Sequence, residues 1–186
     1  MRQLKDFIAV YDDVLERELC ERMIAGFHAS AKYHMRNGAG VREGLEDSSW
    51  TELNVTALAD PGFKRLFESV VLDYFRRYNA QIGLTLPISP LKKLSDLMMK
   101  RYRADRGDRF QVHFDATQGV SNRYLVFLWY LNDVARGGET WFPDLDLRIA
   151  PKAGRMLVFP PYWMFQHAGL PPTEGDKYIV STYALY

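Results

Sequence analysis

The spacing of apolar positions divides the chain into two parts of different character. Residues 1–90 carry apolar side chains mainly at helical spacing, whereas residues 91–186 form short β-branched and aromatic runs separated by Gly, Pro and Asp. Apolar residues three or four apart share one face of a helix, and short apolar runs between turn residues are typical of strands. The sequence therefore predicts a mainly β protein of the α+β class, with helices preceding the β part.

Two segments of the N-terminal part predict amphipathic helices. The first helix is expected to begin after Asp12 or Asp13, either of which would cap it. Its apolar face has residues four apart: Leu15, Leu19, Met23 and Phe27. The second helix is expected to begin at Asp60, which precedes Pro61. Its apolar residues recur near the helical period: Phe63, Leu66, Val70, Leu72 and Phe75.

The C-terminal part predicts many short strands. Runs such as RYLVFLWYLND and KYIVSTYALY favour strands, and turn residues separate them at close intervals. This pattern is typical of an antiparallel barrel or a double-sheet jelly roll. Because the helices need a sheet to cover their apolar faces, we expect a single domain over residues 1–186. In it, 1–90 would be mostly helical support and 91–186 the β core.

Composition narrows the class of protein without identifying it. The formal net charge of +1 gives no argument for binding nucleic acid or a membrane surface. No apolar run reaches the roughly 18 residues of a membrane span, and the first residues lack a signal-peptide pattern, so we expect a cytoplasmic protein. Cys20, the single cysteine, excludes an internal disulfide and a thiolate zinc cage. Its helical context favours a small buried residue.

Three residues are candidate metal ligands. His113 and Asp115 are two apart in an extended run, so their side chains would project from one face of a strand. A His-x-Asp triplet alone is weak, and the third candidate, His167, lies much later in the chain. Two imidazoles and one carboxylate on one face leave three octahedral positions open, which suits non-haem Fe(II) and oxygen chemistry. A structural zinc site would instead need a closed tetrahedron.

The surrounding motifs make this pattern more specific. The His-x-Asp triplet is followed by YLND…GGETWFP, then PKAGRMLVFPP, then HAGLPP…GDKY. In this order the motifs resemble the iron- and 2-oxoglutarate-dependent dioxygenases of the prolyl 4-hydroxylase type, over about residues 97–186. The resemblance implies a double-stranded β-helix (jelly-roll) core with supporting N-terminal helices. It also implies Fe(II), 2-oxoglutarate as cosubstrate, O2 and ascorbate as a reductant.

The resemblance implies a role for individual residues. His113, Asp115 and His167 would hold Fe(II). Lys177 matches the basic residue that pairs with the far (C5) carboxylate of 2-oxoglutarate, and Tyr130 matches an aromatic position whose hydroxyl reaches the same carboxylate. A compact ammonium and a phenol are suitable partners for that group. The alternatives are a surface lysine at 177 and a core tyrosine at 130.

Three further residues are expected near the cosubstrate. Ser181 lies on the same strand face as Lys177, and Thr140 follows the two glycines at a position near the cosubstrate in related enzymes. Plain strand positions are the alternative for both. The family often has a tyrosine three residues before the first His, where this chain has Phe110. Tyr102 is the preceding tyrosine and is expected to contact cosubstrate or substrate.

Other features receive simpler interpretations. Trp129, Trp141 and Trp163 are expected to pack in the barrel, and the two remaining histidines are left unassigned. The segments 37–49 and 116–123 are hypothetical lids over the site.

We expect the protein to hydroxylate an unactivated C–H bond of a prolyl or other protein side chain. Two alternatives stay open: the same chemistry on a free amino acid or other small molecule, and a non-enzymatic jelly-roll binding module.

Overall fold

The structure is a computed structural model that describes residues 2–186. Its α-helices are α1 (Arg17–Ala29), α2 (Val55–Leu58) and α3 (Pro61–Ile82). Its strands are β1 (Ala9–Tyr11), β2 (Met35–Gly38), β3 (Ser49–Asn54), β4 (Lys93–Leu94), β5 (Met98–Tyr102), β6 (Phe110–His113), β7 (Arg123–Tyr130), β8 (Arg136–Gly137), β9 (Thr140–Phe142), β10 (Leu147–Ile149), β11 (Met156–Phe159), β12 (His167–Gly169), β13 (Pro172–Glu174) and β14 (Lys177–Leu185).

Most strands form two antiparallel sheets. The major sheet has the order β1-β11-β7-β14-β5-β3-β2, with β4 paired to β14. The minor sheet has the order β10-β9-β12-β6, and β13 pairs with β8. Strands remote in sequence are neighbours, as expected for a jelly roll in which the chain crosses between sheets. The predicted mainly β jelly-roll fold with supporting helices is therefore confirmed.

The major sheet is covered on both faces, which explains the continuous burial of its central strands. Along β14, Tyr178, Val180 and Ala184 belong to the core that the helices cover. Ile179 and Tyr183 belong to a second core between the sheets. Since successive strand residues point to opposite faces, one strand serves both layers. The candidate site lies on the face of the major sheet that borders this second core.

Helix α3 confirms its predicted start but corrects its predicted buried face. The Asp60 carboxylate accepts hydrogen bonds from the backbone N–H groups of Gly62 and Phe63, at 2.7 and 3.0 Å. Leu66 and Leu72 were predicted to be buried and are instead 42% and 38% exposed. The face that packs on the sheet contains Phe67, Val71, Phe75, Tyr78 and Ile82. A mixed apolar pattern left two faces possible, and contact with the sheet selects this one.

Helix α1 begins later than predicted. Its N-cap is Glu16, whose side chain makes no capping hydrogen bond, so the prediction of a cap at Asp12 or Asp13 is wrong. Asp12 instead accepts a hydrogen bond from Arg155 at 2.7 Å, which ties this segment to the residue that precedes β11. Cys20 is fully buried, as predicted.

Residues 1–90 also contribute strands, which the helical pattern did not reveal. Strand β1 pairs with β11 at one edge of the major sheet, while β3 pairs with β5 and β2 extends the other edge. The N-terminal part therefore extends the β core as well as covering it. The single-domain organisation stays a prediction. Within residues 2–186 no helix combines the length and apolar character needed to cross a bilayer.

The prediction that three tryptophans pack in the barrel is correct for some of them and wrong for one. Trp129 is fully buried and contacts Phe67 edge-to-face, with ring centroids 5.3 Å apart. Trp141 is half-buried beneath the guanidinium of Arg148. Trp163 is 65% exposed, so its prediction as a packing residue is wrong. It lies in a short turn after β11, outside the sheets.

Candidate active site

The three predicted metal ligands meet between two neighbouring strands. His113 ends β6, His167 begins β12, and the two residues are direct cross-strand partners. Asp115 lies just beyond β6, where its backbone N–H donates to the carbonyl oxygen of Pro161 at 3.0 Å. Its two carboxylate oxygens lie 3.6 Å from Nε2 of His113 and 3.5 Å from Nε2 of His167. One ligand atom from each residue lies within 4.8 Å of the other two.

Hydrogen bonds orient both imidazoles toward this point. Nδ1 of His113 lies 2.8 Å from the carbonyl oxygen of Gln111, and Nδ1 of His167 lies 3.1 Å from that of Phe165. Because a carbonyl oxygen only accepts, each Nδ1 carries a hydrogen, and Nε2 is the ring nitrogen that faces Asp115. Anchoring of the remote nitrogen is the usual way in which metal-binding histidines are held.

The charge states of the cluster also suit a divalent cation. Burial acts to raise the pKa of the Asp115 carboxyl, but the neighbouring side chains of His113 and His167 and the charge of Lys100 hold it well below its usual value. Burial, assisted by the neighbouring His113, lowers the pKa of His167 to about 4. An ionised carboxylate and a neutral imidazole are the forms that bind metal. The donor set and its geometry therefore fit Fe(II).

Aromatic rings form the walls around the imidazoles. Phe110 stacks on His113 with ring centroids 3.6 Å apart, and Trp50 stacks on the other side of Phe110 at 4.6 Å. Phe159 contacts His167 edge-on at 4.8 Å. Phe110, the departure from the tyrosine of the family pattern, thus supports a ligand by packing. These rings leave the imidazoles little freedom to rotate.

A cavity beside the three ligands contains four other predicted residues: Tyr102, Thr140, Lys177 and Ser181. Lys177 is only 1% exposed, so the alternative of a surface lysine is wrong. Its Nζ lies 5.1 Å from the ring centroid of Tyr102 and 5.7 Å from that of Tyr130. Among residues 2–186 no carboxylate oxygen lies within 4.0 Å of this nitrogen. Burial lowers the pKa of Lys177 to about 7.

Tyr130 lies behind this cavity. Its hydroxyl donates to Oγ1 of Thr140 at 2.6 Å, and Thr140 itself lines the cavity. The Tyr130 side chain is fully buried, and burial raises the pKa of its hydroxyl. Its direct contact with a cosubstrate stays a prediction, since the hydroxyl is already engaged with Thr140.

The structure adds residues to the site that the sequence analysis did not identify. The Tyr183 hydroxyl donates to Oδ1 of Asp115 at 3.0 Å, which orients that carboxylate. Lys100 lines the same cavity from β5. Both could have been found from the period of two, because Tyr183 follows Ser181 and Lys100 precedes Tyr102 by two residues on predicted strands.

An outer cleft of ≈ 460 Å³ opens over the metal ligands, between the loop 39–48 and the segment 116–123. The first is shorter than the predicted lid 37–49, whose ends belong to β2 and β3. The Gln111 side chain holds this loop by accepting from the Asp47 N–H and donating to the Gly44 carbonyl oxygen. Both segments border the cleft, and their movement as lids stays a prediction.

Comparisons of sequence agree with this site. A family model described as the 2OG-Fe(II) oxygenase superfamily matches residues 97–185. A putative prolyl 4-hydroxylase of Acanthamoeba polyphaga mimivirus is 28% identical over 141 residues, which cover 66% of this chain and 52% of that protein. Human prolyl 4-hydroxylase subunit alpha-1 is 28% identical over 39% of this chain and 17% of its own length. The chain thus spans about half or less of the length of these two relatives.

Solved structures show the same fold over nearly the whole chain. The viral collagen prolyl hydroxylase of Paramecium bursaria Chlorella virus-1, in complex with 2-oxoglutarate, is 22% identical with a TM-score of 0.67, and the match covers 95% of this chain and 94% of that one. A prolyl hydroxylase from Trichoplax adhaerens, in complex with a hypoxia inducible factor peptide fragment, is 16% identical with a TM-score of 0.74 and coverages of 97% and 84%. Over residues 97–185 this chain is therefore similar to the 2OG-Fe(II) oxygenase superfamily, and the relatives that it matches are named prolyl 4-hydroxylases.

Proposed function

We propose that this protein is an Fe(II)- and 2-oxoglutarate-dependent dioxygenase that hydroxylates an unactivated C–H bond. One observation carries the proposal: the ligand atoms of His113, Asp115 and His167 converge beside a cavity that contains the buried ammonium of Lys177. A cation in an apolar cavity is costly unless an anion accompanies it. A dicarboxylate that reaches from the metal to Lys177 would supply this anion.

The polar residues of the cavity named below would have separate tasks in this reaction. The two Nε2 atoms and the Asp115 carboxylate would hold the iron, and Tyr183 keeps that carboxylate oriented through its hydroxyl. Lys177 would bind the C5 carboxylate of 2-oxoglutarate through charge-assisted hydrogen bonds, with the hydroxyl groups of Ser181 and Tyr102 as further donors. Bound iron, 2-oxoglutarate and O2 together supply the oxidising chemistry. The aromatic walls would limit the access of water to the reacting centre from the inner side of the site.

The substrate class follows from the relatives rather than from the metal site. The similar proteins are named prolyl hydroxylases, and the Trichoplax structure contains a peptide fragment. We therefore favour a prolyl or other protein side chain as substrate. The outer cleft of ≈ 460 Å³ could admit a peptide segment or a free amino acid. The same chemistry on a small molecule is the second candidate. Ascorbate as reductant and a cytoplasmic location stay predictions.

Succinate formation from labelled 2-oxoglutarate tests the reaction class. Wild-type protein with Fe(II) and O2 should form succinate slowly without a primary substrate and faster with an acceptable one. We expect His113→Ala to abolish this activity and Lys177→Ala mainly to raise the KM for 2-oxoglutarate. Lys92→Met, which changes an exposed lysine, is the control and should behave as wild type. A wild-type protein that forms no succinate and takes up no Fe(II) would instead be a binding module.

A further inference from the structure

Lys100 is a second cation at the metal site that the proposed cosubstrate contacts do not use. It lies in the centre of β5, and its side chain borders both the inner cavity and the outer cleft. Its Nζ lies 5.5 Å from the ring centroid of Trp50 and 5.6 Å from that of Phe110. Phe110 also stacks on His113, so the Lys100 ammonium and one of the candidate metal ligands lie near the same aromatic ring.

Residues 2–186 place no carboxylate oxygen close to this ammonium. Glu52 is the direct cross-strand neighbour of Lys100. Its two carboxylate oxygens, however, accept hydrogen bonds from the Asn37 amide and the Trp50 indole N–H, each at 2.8 Å. Within the described part of the chain, no carboxylate oxygen lies within 4.0 Å of the Lys100 nitrogen. Contacts with two ring faces offset only part of the cost of desolvating a cation.

Three cations and three acids border the outer cleft, and the two acids whose charges act most strongly on Lys100, Asp115 and Glu52, already have other partners. The cations that border the cleft are Arg42, Lys100 and Arg123, and the acids are Glu43, Glu52 and Asp115. Asp115 faces the metal position, and Glu43 is exposed. Glu52 accepts hydrogen bonds from two neutral N–H groups, and its Oε1 also lies 3.8 Å from Nη2 of Arg42. Burial lowers the pKa of Lys100, while the charges of Asp115 and Glu52 act to raise it. A bound Fe(II) would add further positive charge.

We propose that Lys100 binds a carboxylate of the primary substrate, so that the enzyme acts on an anionic substrate. This inference rests on the proposed function, in which one carboxylate of 2-oxoglutarate meets the metal and the other meets Lys177. The carboxylate for Lys100 then comes from the molecule that is hydroxylated. It belongs either to a free amino acid or to an acidic side chain next to the target residue of a peptide. A carboxylate bound beside Phe110 would place a nearby C–H bond of the substrate close to the three candidate metal ligands.

Equilibrium binding with matched probes tests this assignment. Anaerobic holoenzyme containing Fe(II) and 2-oxoglutarate is titrated calorimetrically with L-proline and L-prolinamide. A second pair consists of N-acetylated, C-amidated peptides that carry Pro-Glu or Pro-Gln. We expect the carboxylate member of at least one pair to bind at least tenfold tighter than its amide. This preference should disappear in Lys100→Met and persist in the control Lys92→Met. The pair that shows it identifies the source of the carboxylate.

Several results would overturn the inference. Equal binding of both members in both pairs, no binding of any probe, or a preference that survives in Lys100→Met would each do so. A Lys100→Met variant that loses affinity for 2-oxoglutarate while retaining the probe preference would assign Lys100 to the cosubstrate instead. Succinate formation by wild-type protein without any probe is measured separately. A failure of the proposed function is therefore distinguishable from a failure of the Lys100 assignment.

Discussion

The buried ammonium of Lys177 leads to a prediction about stability as well as activity. Replacing Lys177 by Met removes the charge and retains an unbranched side chain of similar length. The residue is 1% exposed and has the rings of Tyr102 and Tyr130 nearby. Met fits such surroundings without a polar partner. We therefore expect the variant to be more stable than the wild type when iron and 2-oxoglutarate are absent.

The size of this effect follows from the pKa of Lys177. Burial lowers it from its usual value of 10.5 to about 7, and each pH unit between these values is worth about 1.4 kcal/mol. Between the two values the unfolded chain binds more protons than the folded one, so wild-type stability rises with pH in this window. The advantage of the variant should be on the order of 5 kcal/mol at pH 6, fall to about 2 kcal/mol at pH 9, and vanish near pH 10.5.

Urea unfolding at pH 6 and pH 9 measures this difference for wild type, Lys177→Met and the exposed-lysine control Lys92→Met. The control should show no comparable change in stability between the two pH values. An advantage of Lys177→Met that is the same at both pH values, or a less stable variant at pH 6, would refute the reasoning. Adding Fe(II) and 2-oxoglutarate at a hundred times the dissociation constant should stabilise the wild type by about 2.7 kcal/mol. The variant should gain much less from the same addition.

Three further predictions concern residues that support the site and the fold. Tyr183→Phe removes the hydrogen bond to Asp115 and should weaken Fe(II) affinity about 10- to 100-fold in an iron titration of succinate formation; an unchanged affinity would contradict its orienting role. Gln111→Leu releases the loop 39–48 and should speed tryptic cleavage in that loop severalfold, and equal cleavage rates would show that other contacts hold it. Asp60→Ala removes the cap of α3 and should cost about 1 kcal/mol in urea unfolding, whereas no loss would mean that water replaces the cap.

The sequence alone predicted the chemistry of the site better than its surroundings. His113 and Asp115 share a face because of the period of two, and ordered motifs brought His167 and Lys177 into the same interpretation. The same period places Lys100 and Tyr183 beside Tyr102 and Ser181, yet nothing local shows which face of a strand points inward. In β7 and β14 both faces are buried, so apolar residues do not mark the inner face.

For helices too, the local sequence does not show which face is buried. Phe67 and Leu66 are adjacent apolar residues of α3, and only contact with the sheet determined that the first is buried and the second exposed. Trp163 was assigned to the core because of its residue type, although its turn lies outside the sheets. Residue type describes a preference for burial. Whether a given side chain is buried depends on which other residues of the folded chain pack against it.

The amino-acid order by itself predicted the jelly-roll class, the three candidate metal ligands and the start of α3, because ordered motifs and a local capping pattern mark these features in the sequence. Tertiary structure alone decided that β1, β2 and β3 extend the major sheet, that Gln111 holds the loop 39–48, and that the Lys100 ammonium lies beside the metal site without a close anion. These depend on contacts between residues remote in sequence. Such contacts form only when the folded chain brings strands into register.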